Sequence, residues 1–154
     1  MINVNWNRWI LVSAFDHFTT RVSENLLLDG MDRDGLDKDP LFAEFRLDGP
    51  RIQQLNKNYY RLWFAINILV TAAIDPVDLT KKHDLIGDIA NAFTFEMAIK
   101  KFGEGLGDDD SLLGCATLSD DFPVRINQLG QIDKDLRIEQ ATIEGHYLLH
   151  LTTS

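Results

Sequence analysis

The chain has 154 residues, 45% hydrophobic and 25% charged, which is the make-up of one globular domain spanning 1–154 around a single core. Its 24 Asp and Glu against 15 Lys and Arg leave a formal net charge of -9. Such a surface repels polyanions and argues against tight nucleic-acid binding as a main task. No run approaches the ~18 apolar residues of a membrane span, and Met1 to Asn5 lacks the basic stretch and apolar core of a secretory leader.

In chain order, the first element is a predicted helix from about Asn5 to Leu28. Leu11, Phe15, Phe18 and Val22 recur at the spacing of one helical face, and Trp6 and Ile10 widen that stripe. Asn5 is the expected cap and Gly30 the stop. Asp29 to Pro40 holds five aspartates and two basic residues and reads as an exposed loop. From Leu41 the period becomes two: Leu41, Ala43, Phe45 and Leu47 alternate with Phe42, Glu44, Arg46 and Asp48, a half-buried strand that Gly49-Pro50 should end. Tyr59 to Thr71 is aromatic and β-branched with both faces largely apolar, so it should be a central strand or one covered by a neighbouring subunit.

Asp75-Pro76 then marks a helix start, with Leu85, Ile86, Ile89, Ala90 and Phe93 supplying its apolar face, so that the helix runs to about Asn91. A strand follows over Phe93 to Phe102 with Phe95, Met97 and Ile99 on one side, then a glycine and aspartate loop to Ser111. Leu112 to Leu118, Val124 to Leu129 and Leu136 to Leu151 complete the strands. In the last, Ala141, Ile143, Gly145, Tyr147, Leu149 and Leu151 alternate with more polar residues. The expected fold class is α+β: a mostly antiparallel sheet with two helices packed on one face.

The chemical motifs are weak. Asp32-Arg33-Asp34-Gly35 fails as a calcium loop, because Gly30 and Leu41 would occupy the first and last ligand positions. Gly103-Glu104-Gly105-Leu106-Gly107 fails as a phosphate loop, because Asp108, Asp109 and Asp110 follow it and a strand comes next. His146 and His150 lie about 13 Å apart on a strand, too far for one zinc. All four histidines are expected at a surface or an interface. Cys115 lies in an apolar run with no basic residue within nine positions and is expected to be buried and structural. A single cysteine allows no intrachain disulfide, which suits a reducing compartment. No catalytic residue, metal or cofactor is indicated. Trp6, Trp9, Trp63, Tyr59 and Tyr60 are large side chains on elements that already have another apolar face; core filling explains most of them, and self-association accounts for the remainder.

Taken together, the long N-terminal helix, Phe42-Ala43-Glu44-Phe45-Arg46-Leu47 ending at Gly49-Pro50, the strand Tyr60 to Val70, the helix His83 to Asn91 and the closing Ala141-Thr142-Ile143-Glu144-Gly145-His146-Tyr147 resemble the tail-terminator and head-to-tail joining (neck) proteins of tailed bacteriophages. The resemblance is one of size, order and texture over most of the chain. It implies a tail-terminator-like fold and a structural virion protein rather than an enzyme. The implied assembly is a homo-oligomeric, hexameric ring at the neck or tail end, put together in the host cytoplasm. Its implied partners are other neck and tail-tube proteins, with DNA passing non-specifically through the lumen and no membrane contact. On that basis Phe42, Glu44, Arg46, Tyr59 and Trp63 are candidate subunit contacts. Asp32, Asp34, Asp37 and Asp39, with Asp108, Asp109 and Asp110, are candidate docking or lumen loops. The competing reading is a small-ligand-binding or enzymatic domain with a histidine and carboxylate pocket near His17, His83 or His146.

Overall fold

A computed structural model of the chain describes residues 2–22, 26–28, 41–73, 80–102, 111–133 and 138–152. Within them the order is α1 (Trp6–Thr19), β1 (Leu26–Leu28), β2 (Phe42–Gln54), β3 (Tyr59–Ala73), α2 (Lys81–Ala92), β4 (Glu96–Lys100), β5 (Leu112–Leu118), β6 (Arg125–Asp133) and β7 (Ile138–Thr152). The strands β3 and β7 form the spine, paired antiparallel from Tyr59 opposite Thr152 to Ala73 opposite Ile138. Their period-two patterns put Leu62, Phe64, Ile66 and Ile68 beside Leu149, Tyr147, Gly145 and Ile143 on one face, where all but the glycine are core side chains.

The sheet has seven strands in the order β1-β2-β3-β7-β5-β4, with β6 also on β7. This overturns the expected α+β layout of helices packed on a mostly antiparallel sheet. Strand makes up 56% of the structure, and the sheet curls into a half-barrel. It is also mixed, because β1 runs parallel to β2 with Leu26 opposite Ala43. The predicted helix to Leu28 ends early for a local reason. The Thr19 and Thr20 hydroxyls turn back onto the Asp16 carbonyl, and Thr20 also reaches that of His17. Such side-chain bonds compete with further helix, and the three leucines beyond extend the sheet instead.

Helix α1 bridges the two sides of the curl. Phe15 and Phe18 meet Phe45 of β2, each at 5.5 Å between ring centroids. On the other side the Ser13 hydroxyl accepts from the Lys100 N–H at 2.8 Å and donates to the Lys100 carbonyl at 3.1 Å. One side chain thus satisfies both backbone groups of a residue on the sheet's last strand. The buried stripe of α1 is Trp6, Trp9, Ile10, Ala14 and Phe18, while Leu11 and Phe15 are only partly covered. In α2, Leu85, Ile86, Ile89 and Ala92 are buried; the expected start at Asp75-Pro76 lies outside the described residues.

Aromatic rings fill the curl. Phe93 sits edge-on to Phe18 at 4.8 Å and near-parallel to Tyr147 at 6.4 Å, and Tyr147 stacks on Phe64 at 5.7 Å. The Phe93 ring lies so close over Gly145 that a Cβ there would come within 2.5 Å of it. Only glycine leaves that room. The Tyr147 hydroxyl donates to the Thr94 carbonyl at 2.7 Å, and burial pushes its pKa well above the ordinary phenol value. Phe95, expected on one side of a strand with Met97 and Ile99, precedes β4 and is 61% exposed, while those two are buried.

Candidate functional site

Because Ala43, Phe45 and Leu47 pair with the inward residues of β3, the alternate residues Phe42, Glu44, Arg46 and Asp48 share the outward face. Tyr59, Arg61, Trp63 and Ala65 of β3 and Glu144, His146, Leu148 and His150 of β7 lie on that same face. All five expected contact residues therefore fall on one side of the sheet. They do not form one patch. Phe42 is opposite Thr71 and Trp63 opposite Arg51, at the two ends of β3. Tyr59 is 50% exposed and Trp63 37%, whereas Glu44 is buried at 9% and Phe42 is half-buried. Glu44 is thus corrected from a surface contact to a covered group. The aspartates at 32, 34, 37, 39 and 108–110 lie outside the described residues.

Gly49-Pro50 does not end β2, as the sequence suggested. Gly49 takes a positive φ of 104°, and the register shifts between Asp48 and Arg51. A Cβ on Gly49 would lie 3.0 Å from the Trp63 carbonyl oxygen, so glycine is required on both counts. Past this bulge the strand resumes and sets Arg51 across from Trp63.

A cleft of about 770 Å³ opens there, lined by Asp48, Arg51, Trp63, Ala65, Ser119, Phe122, Glu144 and His146 among others. Ala65, opposite both Asp48 and His146, supplies the low point between larger neighbours. One wall is Phe122, whose ring stacks on His146 at 4.7 Å and 30°. His146 Nε2 lies 3.1 Å from Glu144 Oε1, and Glu144 Oε2 lies 3.6 Å from Arg125 Nη2. Asp48 is bonded to Arg46 at 3.1 Å. Both carboxylates of the cleft therefore already face cations or the imidazole. Arg51 has no ion pair among the described residues, and the Arg61 guanidinium lies 5.5 Å over the Trp63 ring. The arrangement offers aromatic walls, uncompensated positive charge and an imidazole held beside a carboxylate.

A second cavity of about 360 Å³ follows the seam between α1 and β4, with Asp16, His17, Arg21, Glu96, Lys100 and Cys115 on its lining. Cys115 is exposed, contrary to expectation. On β5 the inward positions are Ala116, fully buried, and Gly114, beneath Leu149 and Leu151, so Cys115 falls on the other face. The basic residues absent from its sequence neighbourhood arrive from the turn after α1 (Arg21) and from β4 (Lys100).

The histidines separate. His17 is buried rather than superficial, with Nε2 3.0 Å from the Ala92 carbonyl, which can only accept, so that nitrogen carries the proton. Nε2 is also 3.1 Å from Thr94 Oγ1, whose hydroxyl donates to the Glu96 carbonyl. Burial lowers the His17 pKa and Arg21 lowers it further, against the Ala92 hydrogen bond and Asp16. His83 is exposed on α2 and lines neither cavity described here. His150 is exposed and His146 half-buried. No group of three His, Cys, Asp or Glu suited to a metal occurs among the described residues, and no described helix is long and apolar enough to cross a membrane.

The competing reading of the sequence points to a histidine and carboxylate pocket near His146; it misses Arg51, Phe122 and the identity of the carboxylate, Glu144. The only local signals were a glutamate and a histidine two apart on one strand, and a lone phenylalanine in Asp120-Asp121-Phe122-Pro123.

No known family profile matches the chain, and no curated protein does. Among solved structures 11 chains match. One of them, which bears only a sequence identifier, superposes with a TM-score of 0.54 over 93% of this chain and 94% of its own, at 12% identity. At that identity the likeness is one of fold alone.

Proposed function

We propose that this chain is a structural virion protein, a tail terminator or neck component that acts by assembling into a ring between a phage tail and the capsid connector. The observation that carries the reading is the outward sheet face, where Tyr59 and Trp63 remain 50% and 37% exposed beside Phe122 at 56%. Aromatic side chains are enriched at the cores of subunit contacts. A rigid sheet with one filled face and one aromatic face suits a ring wall, whose subunits meet head to tail and close on themselves. The net charge of -9 suits a lumen through which DNA slides without being held. The ring is a homo-oligomer, taken as a hexamer, and its partners are the neighbouring neck and tail-tube proteins.

Light scattering tests it. The wild-type chain is expected as a ring-sized multiple of 17.6 kDa, and Trp63→Ala as a smaller species of unchanged melting temperature. A mass of one chain at every concentration, with and without purified tail ends, ends the reading.

A second reading, a ligand-binding domain, is favoured by one observation: the cleft in which His146, Glu144, Arg51 and two aromatic rings converge.

A further inference from the structure

The cleft beside Trp63 has a definite chemical preference, and this inference rests on the ligand-binding reading, not on the ring. Its volume of about 770 Å³ falls within the range that encloses a small organic molecule. Its apolar surfaces are the partly exposed Trp63 and the Phe122 ring stacked on His146. Two carboxylates reach it, and each already faces a partner: Asp48 faces Arg46, and Glu144 faces Arg125 and His146. Arg51 faces none among the described residues. Among the residues that line the cleft, the charge left uncompensated is therefore one guanidinium, while Arg61, also without an ion pair among the described residues, lies over the Trp63 ring.

We propose that the Trp63–Phe122 cleft is a binding site for a small monocarboxylate borne on a planar apolar group, with Arg51 as the counter-ion and the two rings as its walls. A guanidinium meets a carboxylate with two parallel N–H donors, and the plane of that pair suits an aromatic neighbour. A dianion such as a phosphate monoester is disfavoured, because the one uncompensated guanidinium lining the cleft offsets only one negative charge. An amine is disfavoured by Arg51 itself.

Trp63 reports on the site. Trp6 and Trp9 are each only 3% exposed, against 37% for Trp63, so a bound ring alters Trp63 emission selectively. The full-length chain is titrated with phenylacetate, phenylacetamide and phenethylamine while Trp emission is followed. A saturable change with phenylacetate is expected, weakened roughly tenfold or more in Arg51→Met, as for the loss of one charge-assisted hydrogen bond. Phe122→Ala weakens it as well, and Arg8→Met, a charge removed from α1, leaves it unchanged. Circular dichroism confirms that each variant is folded. Phenylacetamide binding as well as phenylacetate, or Arg51→Met binding like wild type, overturns the carboxylate assignment while leaving a ligand-binding cleft. Silence with all three probes overturns the cleft as a ligand site, and the ring is judged separately by its mass.

Discussion

The two faces of the sheet are made by the same strands from the same residue types, yet they differ in kind. On the inner face, aromatic rings from five segments interlock: Phe18 of α1, Phe45 of β2, Phe64 of β3, Phe93 after α2 and Tyr147 of β7. On the outer face, aromatics meet charges instead: Arg61 over Trp63, and Phe122 against His146 beside Glu144. The inner face has stability as its outcome, because each ring fills space that nothing else can fill. The outer face holds its rings in place but leaves them reachable, which is what either proposed reading, association or ligand binding, requires.

The largest effect that tests this contrast is expected at Phe18, which is fully buried and touches rings on both sides of the curl. Phe18→Ala should destabilise by about 3–5 kcal/mol, read as a shift in the urea midpoint; a loss below ~1 kcal/mol would mean the rings are not the centre of the core. Gly145→Ala comes next. The Phe93 ring must move to admit one methyl group, at a cost of about 1–3 kcal/mol, and the double variant Gly145→Ala, Phe93→Leu should recover part of that loss.

A smaller effect is conditional on pH. Burial holds His17 below its ordinary value of 6.5, so the fold keeps it neutral while the unfolded chain takes up a proton. Its influence is nil above about pH 6.5, and stability is lost as pH falls from there toward the lowered folded value. His17→Gln should flatten the decline of urea midpoints in that window, and identical slopes in both proteins would refute the assignment. The smallest stability change belongs to the outer face. Trp63→Ala should stay within about 0.5 kcal/mol of wild type while altering association, and a large drop in melting temperature would place Trp63 functionally with the core.

The sequence was most legible where one strand decides its own pattern. The alternation from Ala141 to Leu151 and the two-faced run from Tyr60 to Val70 read correctly, because period two survives in any surroundings. Helix α1 was legible as a helix but not in its orientation. Trp6, Trp9 and Ile10 compete with Leu11 and Phe15, and only contact with β2 and β4 decides which stripe is covered. Leu26 to Leu28 are a three-residue apolar run after Ser23, Glu24 and Asn25 that a helix and a strand can share, and their parallel pairing to β2 is a long-range fact. The cleft was the least legible part. Arg51 reaches Trp63 only because Gly49 makes a bulge, and Phe122 reaches His146 across 24 positions of sequence. Cys115 failed for the same reason, since Arg21 and Lys100 line its cavity from distant segments.

The forked pairing along β7 has its own consequence. Leu118 at the end of β5 is fixed to Tyr147, and Arg125 at the start of β6 to Glu144, both on the same flank of that strand. The intervening segment 119–124 is clamped between, with the Ser119 amide held by the His146 carbonyl at 2.8 Å. Its length and side chains can therefore change while both anchors stay put. The six positions 119–124 can thus be rewritten as a loop without disturbing the pairing of β5 or β6 with β7.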